Sequence, residues 1–240
     1  MPSIPTDCSQ RGVSGYAASM TNTQTDTPEE RAEGLTRNCV DSIRHALDHF
    51  SANYSDEYGF HNQKWAILSV AHATEAFCNL LLITIDHNHP NGRKYPDLGR
   101  AINALKASQS PELSKSELHA IKDIFPGIEK QRDELMHRVP QQQLDAEHAA
   151  LVLLALLYLV RRRVGERADA LLDGDTHSVF DELGVRGKDG RLDKGAQQRW
   201  FALAAMLAFE DYGPRYLEHC SQCECFTKTA DRGCLACFAD

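Results

Sequence analysis

The chain has 240 residues, of which 42% are hydrophobic and 25% charged, enough apolar content for a sizeable core. Its formal net charge of -8 argues against a protein that coats long nucleic acid, because neutralised phosphates supply most of that affinity. It leaves room for a local anion site built from a few arginines.

The polar N-terminus lacks the basic-then-apolar pattern of a secretory signal. The longest apolar run, residues 149–160, is shorter than the about 20 residues needed to span a bilayer. The chain is therefore expected to be cytoplasmic, with its eight cysteines reduced and open to metal binding.

Residues 1–34, rich in Ser, Thr, Gly and Pro, are expected to form a disordered tail. Met20, followed by TNTQTDTPEERAEG, reads as a natural start. Val40, Ile43, Leu47 and Phe50 recur at helical spacing and predict a helix over 36–54. A second, long helix is expected over 63–86, with Ala66, Ile67, Val70, Ala71, Thr74, Phe77, Cys78 and Leu81 on its apolar face. Pro90 and Gly92 end it.

Shorter helices follow at 98–107 and 114–124, the latter opened by the capping box Ser114-Lys-Ser-Glu117. Pro126-Gly127 is expected to break the chain before a short helix over 128–137, which Pro140 stops. The next helix, 142–172, is apolar on every side at its centre, residues 149–160. A helix of that kind is buried on more than one face, here in its own domain and against a partner subunit. Arg161, Arg162 and Arg163 close the apolar stretch. Residues 173–195 read as a linker around a helical turn at 178–183, and 197–212 as a last amphipathic helix. With no sustained strand pattern, the class is all-α. The domains are 1–34, a tail; 35–172, a helical domain; 173–195, a linker; and 196–240, a helix with a metal knuckle.

That knuckle is the strongest motif. Cys220-x2-Cys223 is followed after ten residues by Cys234-x2-Cys237. Each CxxC turn offers two thiolates, and two turns complete a tetrahedral zinc site that is closed and structural. Gly233 can supply an unusual backbone angle beside the second pair. Cys225 and His219 stand close enough in sequence to substitute as ligands, whereas Cys8 reads as a tail thiol and Cys39 and Cys78 as core residues.

The helix over 128–137 carries Arg132 and, five positions on, His137. Five positions turn through about 140° and rise about 7.5 Å, so the two side chains do not stack directly. His45 and His49, His72 and Glu75, and His87 and His89 are further close pairs, and solvated or core-packed histidines account for them. A P-loop, a GxGxxG and a serine nucleophile elbow are all missing from the sequence.

The frame Arg132-Asp133-Glu134-Leu135-Met136-His137, between a long amphipathic helix and a wholly apolar one, resembles the HEPN superfamily of helical nucleotide-binding and RNA-cleaving domains. The family's signature is Arg, four to six residues, then His, commonly with a polar residue straight after the Arg. An upstream helix often carries an acidic residue in its apolar face, as Glu75 stands here. The resemblance covers residues 37–172 and leaves out the cysteine tail.

It implies a helical bundle and a homodimer whose interface brings two Arg-His pairs face to face. It also implies cleavage of single-stranded RNA without a catalytic metal, in a toxin or defence setting with an antitoxin or other regulatory protein as partner. Arg132 and His137 would act on the RNA, with Asp133 in support and Glu75 either orienting Arg132 by a salt bridge or standing as a half-exposed surface residue. One subgroup extends the motif to His-x-Tyr, the tyrosine being modified by a nucleotidyltransferase. Val139 stands there in this chain, so that modification is not expected. The alternative is a non-catalytic domain of the same fold that binds RNA, nucleotide or protein.

Overall fold

The computed structural model describes residues 26–51, 59–90, 94–108, 110–137, 146–164, 194–221, 225–230 and 233–234. Of these, 77% are helical. The expected tail up to residue 25, the stretch 165–193 with its turn, and Cys223 and Cys237 lie outside the described residues.

Helix α1 spans Pro28–Ser51 and begins well inside the segment expected to be tail. Its start is fixed by a reciprocal cap. The Glu30 amide donates to Thr27 Oγ1 at 3.2 Å, and the Thr27 amide donates to Glu30 Oε2 at 2.8 Å. Pro28 occupies the first helical position, where a missing N–H costs nothing. Leu35, Cys39, Val40, Ile43, Ala46 and Leu47 form the buried stripe.

Helix α2, Gly59–Ile85, is the central element: it packs along α1 and against helices that follow it. By length and composition its stretch Asn62–Ile85 could cross a membrane, yet 78% of the apolar window is buried inside the fold, as in a core helix. Cys39 and Cys78 are core residues, and burial pushes the Cys39 thiol up to about 12.

Helix α3 covers Leu98–Ser108 and α4 covers Lys115–His119, with the expected capping box at Ser114 in place. The chain then does not break at Pro126-Gly127. A π turn, Ala120–Ile124, leads directly into α5, Phe125–His137. The Phe125 amide bonds five residues back to Ala120. The wider turn makes room for Pro126, which has no N–H to give and would crowd an ordinary α-helical turn.

His148 seals this junction. Its Nε2 donates to the Ile124 carbonyl at 3.1 Å, and its Nδ1 accepts from Gln131 Nε2 at 3.2 Å. The imidazole lies over Gly127, so close that a Cβ there would sit 2.3 Å from Cε1.

Helix α6, Ala146–Val164, is enclosed by α1, α2, the π turn, α5 and a last helix α7, Lys194–Tyr212. Leu153 and Leu156 are fully buried in the chain's own core. Most of the all-round apolarity of 149–160 is thus accounted for by packing within one chain, α7 included, with Leu151 and Leu154 partly buried. The arginines that close α6 turn back onto acids. Arg163 Nη1 reaches Glu117 Oε1 at 2.8 Å, and Arg162 Nε reaches Asp211 Oδ2 at 2.5 Å. The wholly buried Asp211 side chain also accepts from the Ser116 amide at 3.1 Å, the Ser116 hydroxyl at 2.7 Å and the Tyr158 hydroxyl at 3.2 Å. Burial, with Asp211 beside it, raises the Tyr158 pKa well above the usual phenol range. This network locks the end of α7 to α4 and α6.

A small antiparallel sheet follows α7, in the order β1 (Glu218–His219), β2 (Phe226–Thr229), β3 (Gly233–Cys234). Strands this short carry too few residues to show a two-residue alternation, which is why the all-α expectation holds only for the bundle.

Inside a helix, Gly to Ala ordinarily adds about 0.5–1 kcal/mol of stability. At Gly127 the sign should reverse. Gly127→Ala is expected to cost about 1–3 kcal/mol through overpacking against a hydrogen-bonded ring. Removing that ring in Gly127→Ala/His148→Ala should abolish the additional cost of the alanine. Urea unfolding of the four proteins of this cycle measures both.

Candidate active site

Glu75, on the side of α2 facing α3 and α5, is the anchor. Its Oε2 accepts from the Leu98 amide at 3.0 Å and from Arg132 Nη1 at 2.8 Å. Leu98 opens α3, where amides lack intrahelical partners and the helix dipole favours a carboxylate. Asp97 caps the same turn, accepting from the Arg100 amide at 3.0 Å.

Asn79, one turn further along α2, ties down the approach to α3. Its Nδ2 donates to the Pro96 carbonyl at 3.2 Å and to the Glu75 carbonyl at 3.0 Å. That leaves Oδ1 to accept from His89 Nε2 at 3.2 Å. Burial lowers the His89 pKa, with Arg31 adding to the effect and Asp86 opposing it, which agrees with the neutral donor tautomer.

Arg132 is held from two sides. Beside the contact to Glu75, its Nε and Nη2 reach Asp133 Oδ1 at 3.2 and 3.1 Å. Three of its five N–H groups are thereby engaged. The remaining two belong to a guanidinium that is still about one quarter exposed.

His137 ends α5 and is exposed. It lies one turn beyond Asp133, so these two share a helix face. The face borders an open groove of about 570 Å³, lined among the described residues by Glu129, Lys130, Asp133, Glu134 and His137. Arg132 does not line it. Within one chain, then, Arg132 turns toward α2 and α3 while His137 turns to the groove, and Asp133 is the residue they share. This follows from the helical spacing, which sets the two about 140° apart. The groove itself is acidic, with three carboxylates against one lysine.

In the C-terminal sheet, Cys220 directly follows β1 and Cys234 ends β3, and both are buried. The Cys220 amide donates to the Cys225 carbonyl at 2.9 Å, and Thr227 Oγ1 lies 3.1 Å from Cys234 Sγ in a buried hydrogen bond. Gly233 has a φ of +63°, the left-handed backbone its position called for. Cys225 is half-buried, while His219 is exposed with its ring against Phe226. Among the described residues no group of three or more His, Cys, Asp or Glu is placed to hold a metal ion.

The remaining histidines of the close sequence pairs have ordinary surroundings. His49 stacks on Trp65, His72 Nδ1 meets Ser42 Oγ at 3.0 Å, and His45 and His87 are exposed. Sequence reasoning missed Asn79 and His148 as positioning residues. An asparagine inside FCNLLL was a visible signal for the first. The second had none, since only the fold brings His148 over Gly127.

The Glu75–Arg132 pair is short, partly buried and shared with a helix terminus, so it should be coupled more strongly than a surface ion pair. A double-mutant cycle with Glu75→Gln and Arg132→Met is expected to give about 1 kcal/mol or more of interaction energy. A value near zero in thermal or urea unfolding contradicts the anchoring role of Glu75.

Compared with protein-family models, with curated proteins and with solved structures, the chain matches none.

Proposed function

We propose that the chain is a HEPN-type endoribonuclease that cuts single-stranded RNA without a catalytic metal. The observation that carries this reading is the fixed Arg132, gripped by Glu75 and Asp133, on the same short helix as a solvent-facing His137. In this reading His137 takes the proton from a ribose 2′-hydroxyl as general base. The 2′-oxygen bonds to the adjacent phosphorus, the bond from phosphorus to the 5′-oxygen breaks, and that oxygen leaves with a proton. The two spare N–H groups of Arg132 bind the phosphate oxygens and offset the charge that grows in the transition state.

Because the two side chains diverge within one chain, the working cleft is composite. Arg132 of one copy faces His137 of another in a homodimer. Met136, exposed beside His137, suits such a contact. With most of α6 inside the fold, an interface on the α5 side suits this arrangement better than one through 149–160. A toxin or defence setting, with an antitoxin or regulatory partner, is consistent with such an activity.

One observation favours a second reading, a non-catalytic module that binds RNA, nucleotide or protein. Glu129, Asp133 and Glu134 surround His137 with negative charge, which repels a phosphodiester unless cations arrive from a second copy.

The tail is proposed to hold one structural zinc on Cys220, Cys223, Cys234 and Cys237, with Cys225 and His219 as the alternative ligands. The donors suit the ion: Cys220 and Cys234 are both buried in this small sheet, directly after β1 and on β3, the strands that flank β2, and a hydroxyl beside Cys234 Sγ can donate to a thiolate. When bound, zinc supplies no chemistry to the cut. It ties the start of the β1–β2 connection to the end of β3.

Purified protein is expected to cut single-stranded RNA in EDTA, leaving 2′,3′-cyclic phosphate ends and sparing DNA. His137→Ala and Arg132→Ala should each lower the rate by about 10²- to 10⁴-fold. Arg132→Lys should not restore it, since a point charge cannot replace a planar fork. If His137→Ala cuts as fast as the parent, the assignment fails. If no protein in the series cuts RNA, the binding-module reading replaces it.

Elemental analysis under reducing conditions should find about one zinc per chain, lost in Cys220→Ser/Cys234→Ser. Protein free of zinc contradicts the knuckle.

A further inference from the structure

The C-terminal sheet carries a second feature that cleavage at α5 does not use. Its outer face is aromatic and exposed. Tyr216 is 73% exposed and Phe226 64% exposed. His219 stands opposite Phe226 in the β1–β2 register, ring edge to ring face with centroids 5.2 Å apart. Leu217, between Tyr216 and Glu218, turns inward, as do Thr227 and Thr229 on either side of Lys228. Phe226 and Lys228 are thereby left on the outside, and Tyr216 is exposed in the bend that leads into β1.

Rings of this size are ordinarily buried, so their exposure on so small a module calls for an occupant. The charge around them indicates which. In a chain of net charge -8, Arg215 precedes Tyr216 in the chain, and Lys228 stands two residues from Phe226 on β2, opposite Glu218 of β1. Flat rings interleaved with cations match unpaired bases joined by phosphates. Bases stack on the rings whatever their identity, and the cations meet the backbone.

We infer that the Tyr216–His219–Phe226 face is a stacking platform for single-stranded nucleic acid, with Arg215 and Lys228 on its phosphates. The platform would capture a strand independently of the chemistry at α5, and it does not require that chemistry.

The test is fluorescence anisotropy of the full-length, zinc-replete protein with a labelled mixed-sequence oligonucleotide of about 12 residues. The probe carries 2′-O-methyl groups so that it cannot be cut. Phe226→Ala and Tyr216→Ala should each weaken binding by about five-fold or more. Phe226→Trp should retain it, and Phe226→Leu should lose it, because leucine keeps apolar area without a π face. Lys228→Gln should make the log–log salt dependence shallower by about 0.7. Since Phe226 is largely exposed, melting temperature and zinc content should not change.

Equal binding by Phe226→Leu and the parent overturns the platform. So does equal binding of a duplex of the same sequence, or no binding by the parent. Co-sedimentation with phosphatidylcholine–phosphatidylserine vesicles that depends on Phe226, without oligonucleotide binding, reassigns the face to lipid and also overturns it. His137→Ala should bind like the parent, so failure here and failure of the cleavage reading are separable.

Discussion

A carboxylate in the flank of a core helix must find donors, and Glu75 finds two that do not belong to its own element. The Leu98 amide gives it the start of α3, and Arg132 gives it the middle of α5. Partly buried, this carboxylate would lose about 1 kcal/mol or more without these partners. The three helices are therefore held in one arrangement. Everything proposed for the site depends on this contact. It fixes where the guanidinium stands, how many of its N–H groups remain for a ligand, and which way α5 turns His137.

The surroundings reinforce the same geometry from both ends of α5. At the start, the π turn carries the helix past Pro126, and His148 bridges Ile124 and Gln131 across Gly127. Alongside, Asn79 pins the segment entering α3. The other buried polar cluster, around Asp211 and Arg162, does a different task and fastens the last helix and its sheet to the bundle. The anchored arginine and the cysteine-bearing sheet thus rest on separate polar networks within one hydrophobic core.

Much of this was legible from residues alone, and the exceptions have physical causes. Ser114 and Glu117 announced the α4 cap because a capping box is a local device. Thr27-Pro28-Glu29-Glu30 announced α1 in the same language, yet the polar turns after it obscured the signal. Pro126-Gly127 reads as a stop because an ordinary helix cannot carry it, and a π turn is not visible in composition. The apolar stretch at 149–160 specifies burial but not what does the burying. An interior helix covered by α7 and a helix at a subunit interface look the same in sequence. The link from Glu75 to Arg132 crosses 57 positions. An acid out of place on an apolar face marked it, and the salt bridge expected between the two is present.

The central claim is that Arg132 and His137 act as one site although they diverge within a chain, so each must work with the other's counterpart in a second copy. Mixing the two inactive proteins tests this directly. Arg132→Ala and His137→Ala, combined and allowed to exchange subunits, rebuild one intact pair in every mixed dimer. The account predicts RNA cleavage by the mixture where neither protein alone has any. A mixture as inactive as its components, with subunit exchange demonstrated, contradicts it.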